Sequence, residues 1–131
     1  MAAVNFTLSL QGDLVEIVAT GDFTLETTTE LLRVIAENRR RHPRTLVIAR
    51  AAPGTIPADA RKYAIAWFRE HPEPFFAAVY DAGPVIRTIT NMITRAIALL
   101  GVTPLEIRFF ATRDQALAWL AEVRRAPPTA G

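Results

Sequence analysis

Thr45-Leu46-Val47-Ile48-Ala49, Phe75-Phe76-Ala77-Ala78-Val79-Tyr80 and Glu106-Ile107-Arg108-Phe109-Phe110 are three short apolar runs, each followed by a turn and then an amphipathic stretch. A strand, a turn and a returning helix, repeated, build a parallel sheet covered by helices. The first run is β-branched and almost wholly apolar, which fits a central strand buried on both faces. In the third, Ile107 and Phe109 alternate with Glu106 and Arg108, so one face is wet and the run belongs at a sheet edge.

Upstream of these runs the pattern changes. Phe6, Leu8 and Leu10 alternate with Thr7 and Ser9, as in a half-buried strand. Gln11-Gly12-Asp13 supplies a turn, and Leu14–Thr20 returns as the second strand of a hairpin. Thr24 caps a predicted helix from Leu25 to about Arg41, with Leu32, Val34 and Ile35 inward and a charged ladder of Glu30, Arg33, Glu37 and Arg40 outward. Pro57 reads as the first helical residue ahead of Ala58–Glu70, which His71-Pro72-Glu73-Pro74 ends. The longest helix is expected over Val85–Leu100, stopped by Gly101. Thr112-Arg113-Asp114-Gln115 matches a capping box and opens a last helix burying Ala116, Leu117, Trp119, Leu120 and Val123. The domain is expected to span residues 1–125, with 126–131 a disordered tail.

The 131 residues and 50% hydrophobic content suffice for one packed core. The absence of cysteine removes disulfides, thiolate catalysis and cysteine-type zinc sites, and suits a cytoplasmic setting. Met1-Ala2-Ala3-Val4 lacks the basic start of a signal peptide, and Arg87, Asn91 and Arg95 interrupt the greasiest stretch, so no membrane span is expected. Net charge is +2, too small to steer an acidic partner. The one dense basic run, Arg39-Arg40-Arg41-His42-Pro43-Arg44, falls at a helix C-terminus, where cations offset the helix dipole. Nucleic-acid binding would need further basic residues converging with aromatics, and none is near in sequence.

Strand, strand, helix, then three strand–helix units is an order that resembles the STAS superfamily, founded on the anti-sigma-factor antagonists of bacterial sporulation. It is most similar to the SpoIIAA-like branch, bacterial proteins for which STAS and CRAL-TRIO (lipid-transfer) relationships are both claimed. The likeness is carried by the Gly21–Leu25 approach to the first helix, the strand Thr45–Ala49 and the closing stretch from Arg108 to Leu120. It implies an α/β fold, a mixed sheet of about five strands covered by about four helices. It also implies a regulatory or protein-interaction module without a cofactor. The sporulation antagonists carry an Asp-Ser-Ser-Gly-like motif whose serine is phosphorylated. The corresponding loop here runs Ala51-Ala52-Pro53-Gly54-Thr55-Ile56-Pro57-Ala58-Asp59, with Thr55 the only hydroxyl, so the serine switch is not expected.

Ligands of parallel sheets gather beyond the carboxyl ends of the strands, where this chain offers Arg50, Thr55, Asp81, Arg87 and Arg113. Arg50 follows a buried strand and must meet solvent, a carboxylate or an anionic ligand; an ion pair with Asp81 is the simpler expectation. Thr55 lies near a helix N-terminus, where a phosphate would find free N–H groups. On the long helix Arg87, Asn91 and Arg95 lie opposite Val85, Ile86, Ile89, Met92, Ile93, Ala96, Ile97, Leu99 and Leu100, a covering helix that could also present a dimer or partner surface. Adjacent Trp67 and Phe68 cannot both enter one core head-on, so one is expected at a groove or interface. His42 and His71 sit apart on helix ends and make neither a triad nor a metal set. Protein contacts, including a homodimer, are thus the first expectation. A carrier of a small apolar or lipid-like ligand, held between sheet and long helix, is the alternative. An enzyme would need Arg50, Thr55 and Asp81 to converge.

Overall fold

Gly12 takes φ +61° in the two-residue turn between Gln11 and Leu14, a left-handed conformation that costs glycine nothing. That turn joins β1 (Phe6–Gln11) to β2 (Leu14–Ala19) in an antiparallel pair. The computed structural model describes residues 4–51, 54–100 and 105–126. Beyond the hairpin lie β3 (Leu46–Arg50), β4 (Phe75–Tyr80) and β5 (Leu105–Phe110), each parallel to the strand before it. The sheet runs β1-β2-β3-β4-β5, with β3 central and β5 at an edge as the hydrophobic patterns require.

Because each parallel crossover steps the same way across the sheet, crossovers of one hand must all lie on one face. Those crossovers are α1 (Leu25–Arg41), α2 (Ala58–Glu70) and α3 (Pro84–Leu100). They pack with Val15, Ile17, Val47 and Ala77 into the larger core. Only a helix after β5 can cover the other face, and α4 (Arg113–Arg125) does so, burying Ala116, Trp119 and Leu120 against Leu46, Ile48, Ala78 and Tyr80. Leu117 and Val123 are only partly buried there.

Local chemistry sets the helix ends. The Thr24 hydroxyl accepts from the Thr27 N–H at 3.2 Å, and the Thr112–Gln115 capping box forms in both directions. Pro57 stands one residue earlier than expected. It is the N-cap of α2, and its side chain offers no capping oxygen. The expected stop at Gly101 and tail residues 127–131 lie outside the described residues.

Two hydrophobic patterns are narrower than their sequences read. Leu8 and Leu10 share a face with Ile17 and Val15 but are 41% and 51% exposed, because no helix covers that part of the edge strand. Among the described side chains of α3 only Ile86, Ile89, Ile93 and Ile97 are buried, while Val85, Met92 and Leu99 stand out at 57%, 56% and 89% exposure. Their spacing of seven residues puts them in one line along the helix.

Candidate functional site

The larger core is not filled. Between the sheet and the α1–α3 layer lies a cavity of about 170 Å³, walled on the sheet by Ile17, Val47, Ala49 and Ala77 and on the helices by Ile35, Ala64, Ile86 and Ile93. Native interiors pack like organic crystals and hold few voids larger than a water molecule. The void has a direct cause in sequence: Ala49, Ala51, Ala64 and Ala77 point small side chains where branched ones would close the space. Its wall is almost entirely carbon, and the Thr28 hydroxyl on its border already donates to the Phe23 carbonyl at 3.3 Å. Away from its rim at Arg50, such a lining offers water few partners.

Arg50 and Ala51, at the end of β3, border this cavity and also an open depression shared with Thr20, Asp81 and Gly83. The expected ion pair forms: Arg50 Nε donates to Asp81 Oδ2 at 3.2 Å, with both side chains more than half exposed. Asp81 ends β4 with φ +59°, the left-handed region that aspartate tolerates better than most residues, and its N–H donates to the Phe110 carbonyl. The strand order never reverses, so the carboxyl end of the sheet has no switch-point crevice. The depression at that end, about 650 Å³, is the roomier and more polar of the two spaces, and the smaller, apolar one lies under the helical layer.

Thr55 does not join Arg50 and Asp81; it borders neither the cavity nor the depression. Its N–H donates to Asp22 Oδ1 at 2.9 Å and its carbonyl accepts from the Phe23 N–H. Gly54 permits this approach, since a Cβ there would stand 2.7 Å from Asp22 Oδ1. A phosphate on Thr55 would thus meet a carboxylate already serving the nearby backbone. Arg87, Asn91 and Arg95 form a separate exposed row on α3, with the Arg87 guanidinium 5.4 Å from the Phe109 ring centre. Arg113 is committed to Glu16 by two hydrogen bonds of 2.8 and 2.9 Å.

A model of one domain family matches residues 14–121, from β2 into the last helix, and its description is SpoIIAA-like. The chain belongs to the SpoIIAA-like family. Membership supports a STAS-type regulatory or interaction module in general terms. No curated protein matches the chain. Among the described residues no helix is long and apolar enough to cross a membrane.

The SpoIIAA-like domain also uses its basic run in ways the dipole argument missed. Arg39 is nine-tenths buried, with its guanidinium 5.7 Å from the Trp67 ring centre and 5.6 Å from that of Phe75. Nη2 donates to the Pro74 carbonyl and Nη1 lies 3.6 Å from Glu73, while burial pulls its pKa down. The signal was present: Thr28, Leu32, Ile35 and Arg39 follow one another on the buried stripe of α1. This arginine explains why Trp67 and Phe68 are both buried, against the expectation for neighbours. Phe68 packs edge-on to Phe75, and Trp67 is roofed by Arg39 and stacked on His71 at 4.1 Å. Arg44 caps α4 instead of α1, donating from Nη1 to the carbonyls of Val123, Arg124 and Ala126.

Proposed function

We propose that this SpoIIAA-like chain is a non-enzymatic binding module whose ligand places a small apolar body beneath α1, α2 and α3. The observation that carries this reading is the cavity of about 170 Å³ with its carbon wall. An engineered cavity of roughly that size, about 150 Å³, binds benzene or xenon. Usual ligand pockets run from about 300 to 1,000 Å³, so a ring or short chain fits here and a whole lipid does not. At the rim of the cavity Arg50 is engaged by Asp81.

Thermal unfolding in the presence of saturating benzene tests the reading. Benzene should raise Tm by a few degrees, on the order of 3–5 °C. Ala77→Leu, which occupies the same space, should abolish that rise. An unchanged Tm in the wild-type chain rules the cavity out as a ligand site.

A second reading, contact with a protein partner or a second copy, is favoured by one other observation. The outer side of α3 aligns Val85, Met92 and Leu99 beside Arg95, and α3 carries no acidic residue. Such a face suits a surface offering apolar contact and carboxylates, and two like copies would set arginine against arginine.

A further inference from the structure

We infer that the ligand of the cavity is a short amphiphilic acid, with its apolar body among the alanines and its anionic head on Arg50. The inference rests on the cavity reading above and names the class of molecule that would fill it.

Among the residues lining the cavity, Arg50 alone carries a charge. Arg50 and Ala51 also line the open depression, so the apolar space and the polar rim meet at the end of β3. A molecule seated in the cavity would have one end facing solvent beside a guanidinium. A purely apolar ligand would leave that guanidinium unused. A cationic ligand would be repelled by it.

The bonding of Arg50 differs from that of the other paired arginines. Arg113 and Arg124 each grip one carboxylate through Nε and Nη2, and Arg33 does the same to Glu30. Arg50 contributes Nε alone, and at 3.2 Å. Its two terminal nitrogens have no hydrogen-bond partner among the described residues. They form the side of the fork that accepts a planar carboxylate. Asp81 is an exposed partner, so its hold on Arg50 is weak and open to exchange. Asp81 also shows the chemistry the site prefers, since its own carboxylate stands where one oxygen of a ligand head would compete.

The volume sets the body. A ring of benzene size, or a chain of about six carbons, fills such a space. Aromatic and short-chain carboxylic acids are therefore the class, and a phosphate-headed lipid exceeds it.

Hexanoate and hexan-1-ol, titrated separately at pH 7 into protein with labelled alanine methyls, test this. Both should shift Ala49, Ala64 and Ala77, and hexanoate should bind about tenfold more tightly. R50Q should erase the difference while leaving hexanol untouched. R50K, which keeps the charge without the fork, should retain part of it. D81N, by removing the competing carboxylate, should strengthen hexanoate several-fold and not hexanol.

If neither compound moves the alanine methyls, the cavity reading falls and this inference falls with it. Equal binding of both compounds, insensitive to R50Q, leaves the cavity reading standing and overturns the acid. Hexanoate binding that depends on Arg50 but leaves the alanines unmoved makes Arg50 an anion site on the surface, and also overturns it.

Discussion

The two faces of the sheet are covered by different means. On one, α4 alone presses Trp119 and Leu120 onto Leu46, Ile48 and Tyr80, and Trp119 extends to within 5.9 Å of the Phe110 ring. Arginine forks hold that helix at both ends, Arg113 on Glu16 and Arg124 on Asp13, and Arg44 closes its C-terminal carbonyls. On the other face three helices leave a space of about 170 Å³ above Ala49 and Ala77. More covering surface has produced the looser core. Three helices tied to three crossovers must share one face, and small side chains beneath them decide how much room remains. The α4 face is the closely packed one, and the proposed binding site lies on the other.

Ala77 and Ala78 are neighbours on β4, one facing each core, and together they give the sharpest test of that contrast. Ala78 is fully buried beside Ala116, so Ala78→Val should overpack the α4 face and cost about 1–3 kcal/mol in urea unfolding. Ala77→Val grows into the cavity and should stabilise by about 0.5–1 kcal/mol. Equal losses at the two positions would mean that the faces are packed alike. Arg44→Ala should come next. It removes the cap of α4 and should cost about 1 kcal/mol, with amide exchange quickening in the last turn of α4 and not of α1. Quickened exchange in α1 instead would restore the dipole reading of the basic run.

The layered part of this fold was legible because it is written in periodicity. Thr45–Ala49 had to be central, Glu106–Phe110 had to be an edge, and Thr112–Gln115 had to open a helix. Each of those expectations depends on residues close in sequence. The Arg50–Asp81 pair was readable for a related reason, since Arg50 ends β3 and Asp81 directly follows the adjacent parallel β4. The cavity was not readable. Ala49, Ala64 and Ala77 are separately unexceptional, and only their meeting across three elements makes a void. Arg39 misled because a charge on the buried stripe looks like one more member of a basic run until Trp67 and Phe75 are brought to it. Val85, Met92 and Leu99 were assigned to the core because the helical stripe was drawn wider than the sheet beneath it.

The smallest expected effect separates the polar clamp of α4 from an ordinary surface pair. Two hydrogen bonds from Arg113 hold the Glu16 carboxyl below its ordinary value near 4.5, and the Arg33 fork does the same to Glu30 on the solvent side of α1. A carboxyl whose pKa is lower folded than unfolded contributes stability that is fully present above the unfolded value. That contribution drains away as pH falls through the folded one. Melting curves from pH 7 down to 3 should therefore show a shallower acid limb for Glu16→Gln than for the wild-type chain, the wild-type advantage being full above 4.5 and draining away as pH falls below it. Glu30→Gln should change the limb less. Glu16 is 17% exposed and joins α4 to β2, whereas Glu30 is 36% exposed and bonds within its own helix. A pair that spans two elements must be released before they separate, and a pair within one helix need not be. If the two variants have the same acid limb, the fork on Glu16 does not clamp α4, and the firmness of that face comes from Trp119 and Leu120 alone.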